Sequence, residues 1–260
     1  MHLKKLIVPF ALAVIVLTVA GCNNTSSAEI SNTPANEIYE WRIYSLNEGK
    51  AETLDRFFEQ TLIPAFNRHD IQVGAFSLYQ PEEIELRYLF MVYPDLETFR
   101  QVKKAVWDDP VFRPEAQPYY DATAPDPVYS NFETYICEAF DSLPRMRRPG
   151  AERTLFEFRI YHSPNEEANR RKIDMFQQGE IEIFDEVGIN SVCYGNVLAG
   201  SSMPALTYLT WYKDEPTRNM AWDGFRTHSK WLEMKQMPEY AHTATNNKNR
   251  LLAPMPYSQY

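Results

Sequence analysis

Two short segments of this chain hold the residue types for proton or anion chemistry. Glu40, Arg42 and Tyr44 alternate along one segment, and Glu157, Arg159 and Tyr161 alternate along the other. In a strand, that spacing places each carboxylate, guanidinium and phenol on one face. A carboxylate can take a proton, a guanidinium can hold an anion in a fork, and a phenol can donate. Both segments read aromatic, Glu, aromatic, Arg, Ile, Tyr, and they stand 117 residues apart. The opposite face carries Tyr39, Trp41 and Ile43, or Phe156, Phe158 and Ile160. The six polar residues are the candidate site, as the wall of a pocket or as the seal between two sheets. A Glu beside an Arg stays ionised and more often serves structure, which favours the seal.

Each candidate strand begins a similar series of elements. Leu54, Phe57, Phe58, Leu62 and Phe66 repeat at helical spacing, with Pro64 expected to kink or break that helix. Val73 to Tyr79 and Leu86 to Tyr93 read as a hairpin, Asp95 as the cap of a second helix, and Val128 to Phe140 as a fourth strand. Pro144, Pro149 and Gly150 punctuate a boundary. The series then restarts, with Ser163 as the expected cap of a helix that Gly188 ends. A second hairpin, a helix after Pro216 and a strand from Thr243 to Leu252 complete it. Ile71 matches Ile189, Asp95 matches Asp214 and Phe112 matches Trp231, at offsets of 118 or 119 residues. The chain is therefore a duplication.

The fold class is α+β, with two tandem β-α-β-β-α-β ferredoxin-like repeats whose sheets can pack face to face and close a barrel. Residues 37–142 form the first repeat, 143–152 a linker and 153–260 the second. The aromatic face of each first strand is expected to pack beneath the helices. The Glu-Arg-Tyr face would then lie on the bare side of the sheet, where two sheets meet around a barrel lumen. The barrel could close within one chain or between copies in a homo-oligomer.

The second repeat resembles the NIPSNAP family, within the dimeric α/β-barrel superfamily. The resemblance rests on Phe156 to Tyr161, Met175-Phe176, Gly179-Glu180-Ile181, Leu206-Thr207-Tyr208-Leu209, and Trp222 with Phe225 and Trp231. It spans nearly all of residues 150–258 and extends loosely to 37–141. The first repeat lacks the Gly-Glu-Ile segment and places Asp108-Asp109-Pro110 before its aromatic. The resemblance therefore implies that a shared ligand site would lie in the second repeat. It also implies kinship with cofactor-free oxygenases and with haem enzymes, which share a fold without sharing chemistry.

Residues 1–21 read as a signal peptide, with Lys4 and Lys5 ahead of an apolar run from Leu6 to Ala20. That run is short of the roughly 20 residues that cross a bilayer. Leu17 to Cys22 has the form of a bacterial lipobox, so Cys22 is expected to carry lipid and residues 22–36 to form a tether. Asn23 after the cysteine fits the outer membrane, facing the periplasm. The net charge is −9, and losing Lys4 and Lys5 would make it −11. This balance argues against nucleic acid as a partner. The expected partners are the membrane, through Cys22, and a small apolar ligand or a protein.

Cys137 and Cys193 read as buried free thiols, with a disulfide as the alternative. His69, His162, His228 and His242 fall at no ligand spacing, so neither a metal nor another cofactor is expected. Glu180 and Glu182 would point to opposite faces of a helix and form no dyad. The expected function is that of a binding or interaction module. The alternative is a cofactor-free oxygenase or isomerase acting on a small apolar or aromatic molecule. It would need a lumen of about 300 Å3 or more with Arg159 and Tyr161 on its wall.

Overall fold

The computed structural model describes residues 35–260; the expected signal peptide, Cys22 and the expected tether up to residue 34 lie outside the described residues. The first repeat runs β1 (Ile38–Leu46), α1 (Ala51–Phe57), a π-helical turn (Phe58–Leu62), α2 (Ile63–Asn67), β2 (Val73–Leu78), β3 (Leu86–Tyr93), α3 (Leu96–Asp108), α4 (Phe112–Tyr120) and β4 (Tyr129–Ala139). The second runs β5 (Leu155–His162), α5 (Glu166–Met175), a π-helical turn (Phe176–Glu180), α6 (Ile181–Val187), β6 (Asn190–Ala199), β7 (Ala205–Tyr212), α7 (Glu215–Thr227), α8 (Ser229–Met234) and β8 (Asn246–Pro254). The eight strands close into one barrel, ordered β1-β3-β2-β8-β5-β7-β6-β4. The pairs β2–β8 and β4–β6 join the repeats, so closure happens within one chain.

Local chemistry sets the helix starts. Asp95 and Asp214 accept from the amides of Thr98 and Thr217 at 2.7 and 2.8 Å. In the second repeat the cap is Asn165, which accepts from the Ala168 amide at 2.9 Å. Ser163, the expected cap, lies before it and bonds Asn169 instead. Asn165 wins because the helix starts later than the Pro164 signal suggested. Pro64 sits in the first turn of α2, just after the π turn, where its missing N–H is tolerated. Gly188 ends α6 with φ 83°, a left-handed conformation that favours glycine.

The faces of β1 and β5 are the reverse of the expectation. Trp41 lies between Phe90 and Phe158, with ring centroids 4.4 and 4.1 Å away, and Phe76 meets Phe156 at 4.9 Å. These rings come from both repeats and fill the inside of the barrel. An eight-stranded barrel has an interior just wide enough for side chains, and large aromatics occupy it. The Glu-Arg-Tyr faces turn outward, beneath the helices. Tyr44 packs with the helices of the first repeat and Tyr161 with those of the second. So Glu40, Arg42, Glu157 and Arg159 do not seal two sheets together. Both faces of the sheet are dry, and alternation alone cannot say which dry side is which.

Candidate functional site

The polar faces are candidate sites because the helices above them bring countercharges and leave space. In the first repeat Glu40 is 2% exposed. Its Oε1 accepts from Arg42 Nε at 2.7 Å and from Lys103 Nζ of α3 at 2.8 Å. Its Oε2 accepts from the Tyr93 hydroxyl at 2.7 Å. Burial would raise its pKa, but the charges of Arg42 and Lys103 outweigh burial and hold it at about 2. Burial and the Arg42 charge together lower the pKa of Lys103. Burial keeps the phenols of Tyr44, Tyr119 and Tyr120 protonated, raising each above its ordinary value.

Above this floor lies a cavity of about 390 Å3, bounded by Glu40, Arg42, Tyr44 and Lys103 and by rings from α1, α3, α4 and β4. Phe57 and Tyr119 stack with centroids 3.9 Å apart, and Tyr44 stacks on Phe132 at 4.6 Å. The Arg42 guanidinium also lies 5.4 Å from the Phe66 ring.

The second repeat uses the same plan with different residues. Glu157 is fully buried and accepts five hydrogen bonds. Arg159 donates two, Arg218 of α7 donates two, and the Trp222 indole donates one at 2.8 Å. Burial would raise the Glu157 pKa, yet the Arg218 hydrogen bonds and the Arg159 charge bring it below its ordinary value. Arg159 also donates to the Tyr161 hydroxyl at 3.0 Å, which in turn pairs with Tyr208 at 2.8 Å. Trp222 covers the Arg159 guanidinium, 4.0 Å from its centroid. Arg159 and Glu157 are thus sealed beneath an indole.

A second cavity of about 400 Å3 lies beside this network, lined by Tyr161, Lys172, Glu180, Trp222 and Trp231 among others. Lys172 Nζ donates to Glu180 Oε2 at 2.7 Å. The ammonium lies 4.5 Å from the Phe176 ring and 5.7 Å from Tyr161. In the aligned repeats, an offset of 118 sets Lys172 on Leu54 and Glu180 on Leu62. A buried ion pair thus stands where the first repeat has two leucines. Both π turns end at this position, and such turns re-aim side chains into functional sites.

The barrel interior offers less. One mouth holds a space of about 130 Å3, with Ile43, Tyr88, Tyr135 and Phe158 among its walls. Arg159 and Tyr161 are not on it, so the lumen that the enzymatic alternative required is filled by side chains. His228 pairs with Glu186 at 2.9 Å, and His242 borders the second cavity. Among the described residues, no three of His, Cys, Asp and Glu converge as for a metal. Cys137 and Cys193 are free, buried thiols. Glu182 is exposed near Lys230, on the other side of its helix from Glu180.

Residues 156–259 match the NIPSNAP family model. The second repeat is similar to that family over nearly its whole length. No curated protein matches the chain. Among solved structures, a candidate monooxygenase from Lactobacillus acidophilus is 8% identical, with a TM-score of 0.57, covering 84% of this chain and 94% of that one. A candidate monooxygenase from Fusobacterium nucleatum is 10% identical, with a TM-score of 0.56, covering 85% and 93%. A mutant chlorite dismutase from Candidatus Nitrospira defluvii, in complex with cyanide, is 8% identical, with a TM-score of 0.51, covering 86% and 93%. These likenesses show the shared barrel fold.

The second repeat holds the closed network and the first repeat the open one. Sequence reasoning placed Glu40, Arg42 and Tyr44 on one face, and all three border the first cavity. In the second repeat only Tyr161 of the corresponding three borders a cavity. Both repeats have a cavity, so open space is not confined to the second. Sequence reasoning missed Lys103, Tyr93, Arg218, Lys172 and the pairing of Glu180. A signal for two of these existed. Counting from the matched caps Asp95 and Asp214, Phe99 and Lys103 align with Arg218 and Trp222. Each repeat thus has one cation and one aromatic at i and i+4 on the helix face above the carboxylate.

Proposed function

We propose that this chain is a binding module that holds a small apolar or aromatic molecule between a helix layer and the barrel. The observation that carries the reading is the aromatic-walled cavity of about 390 Å3 beneath α1, α3 and α4, beside a barrel whose own interior is filled. Lipid at Cys22 would anchor the module in the bacterial envelope, on the outer membrane facing the periplasm. The lipobox-like Leu17 to Cys22 and the Asn23 that follows it support that placement.

The alternative, a cofactor-free oxygenase or isomerase, draws on the fold shared with the candidate monooxygenases and on the Tyr161–Tyr208 phenol pair beside the second cavity. Binding without chemistry is the better reading. Glu40 and Glu157 are each held ionised by two cations, which makes them weak bases near neutral pH.

Native mass spectrometry of the full chain, purified from cells in detergent, tests the proposal. A population carrying a small organic molecule that leaves unchanged under air is expected. An oxidised or isomerised product would establish the alternative. The absence of any co-purified molecule, together with no thermal shift from small aromatic compounds, would overturn ligand binding altogether. For the anchor, Cys22→Ser should move the protein to the soluble fraction; retention in the membrane would refute it.

A further inference from the structure

The first cavity has a feature that simple apolar binding does not need. Arg42 is 8% exposed, and its Nε is spent on Glu40. Among the described residues no carboxylate or carbonyl accepts from its two Nη atoms; the Tyr44 hydroxyl lies within reach of the guanidinium, and Arg42 borders the cavity. The fold does not require this. The equivalent Arg159 engages all three of its nitrogens, on Glu157 and Tyr161. Three charged groups border the cavity, Glu40, Arg42 and Lys103, so it carries one positive charge in excess. Tyr44 and Tyr120 also border the cavity, which brings two further hydroxyl groups to its wall. The remaining walls are ring faces, among them Phe57, Phe99, Tyr119 and Phe132.

We infer that the first-repeat cavity is a site for an aromatic carboxylate, its acid group on the Arg42 fork and its ring between the stacked aromatics. The inference rests on the binding-module reading and adds the chemical class of the ligand. A guanidinium edge that carries no carboxylate matches an incoming one bidentately. A buried cation without a full set of acceptors is costly, and an incoming anion removes that cost. The flat walls select a planar group over a branched one. Lys103, at the rim and already shared with Glu40, adds attraction without competing for the fork.

The test is calorimetric titration of the full chain with phenylacetate and with its neutral counterpart, phenylacetamide. Phenylacetate should bind at least about tenfold more tightly, as expected for a charge-assisted bidentate pair. Arg42→Met should abolish that preference while leaving phenylacetamide binding in place. Thr134, paired with Arg42 across β1 and β4, also borders the cavity. Thr134→Phe fills the space while keeping both residues of the Glu40–Arg42 pair, so it should weaken both ligands even if Arg42→Met fails to fold. Equal affinity for acid and amide, or phenylacetate binding that survives Thr134→Phe, would overturn the assignment. Equal affinity would spare the binding-module reading. Failure of every aromatic compound to bind would sink both.

Discussion

Glu157→Gln is the substitution that most directly probes how the second repeat is built. The carboxylate is fully buried and satisfies Arg159, Arg218 and Trp222 at once. Glutamine keeps the shape and removes the charge. Its amide then turns a donor toward groups that are themselves donors, whichever way it is oriented. Two guanidinium groups, with side-chain exposures of 14% and 19%, are left without a counterion. Breaking a buried pair in this way costs about 4 kcal/mol, out of a total stability of about 5–15 kcal/mol. Arg159→Ala should cost less, about 2 kcal/mol, because Glu157 keeps its hydrogen bonds from Arg218 and Trp222. Urea unfolding followed by tryptophan fluorescence measures both. A loss below about 1 kcal/mol for Glu157→Gln would refute the countercharge account. So would a larger loss for Arg159→Ala than for Glu157→Gln, since the carboxylate would then not be the hub.

Further outcomes follow from other parts of the fold. The Glu40 carboxyl titrates at about 2 in the folded chain against an ordinary 4.5, so its contribution is complete above 4.5 and is lost as the pH falls toward 2. That difference corresponds to about 3 kcal/mol of stability, and Glu40→Gln should flatten the acid limb of a stability-versus-pH curve; an unchanged slope would refute the pairing. Gly195 lies on β6 where it meets β4, and a Cβ there would come within 2.7 Å of the Cys137 Cβ. Gly195→Ala should therefore cost about 2 kcal/mol in the same unfolding assay; a change under about 0.5 would mean the seam is looser than described. Cys137 and Cys193 should both alkylate under denaturing, non-reducing conditions and resist alkylation when folded. Peptide mapping that recovers them joined by a disulfide would contradict their burial as thiols.

The expected elements lie close to the observed ones because their signals are local. Asp95, Asp214 and Gly188 act through neighbours within a turn, and each does in the structure what its type implies. Ser163 shows the limit, since two capping residues two positions apart compete and only the observed helix start chooses Asn165. The site was legible by half. The alternation in β1 and β5 correctly grouped Glu with Arg and Tyr, but their partners come from far away. Lys103 is 63 residues from Glu40, and Arg218 is 61 from Glu157.

What the sequence determined by itself was the duplication, the order of elements, the fold class and the grouping of polar residues on one face. All of these depend on residue type and on spacing along the chain. Only the tertiary structure decided which face looked inward. A closed barrel has a dry interior and a dry, helix-covered exterior, and both accept the same alternating strand. The aromatic rings took the interior because an eight-stranded barrel must be filled. The carboxylates took the exterior because the cations that neutralise them ride on the helices, and one repeat left its arginine facing open space.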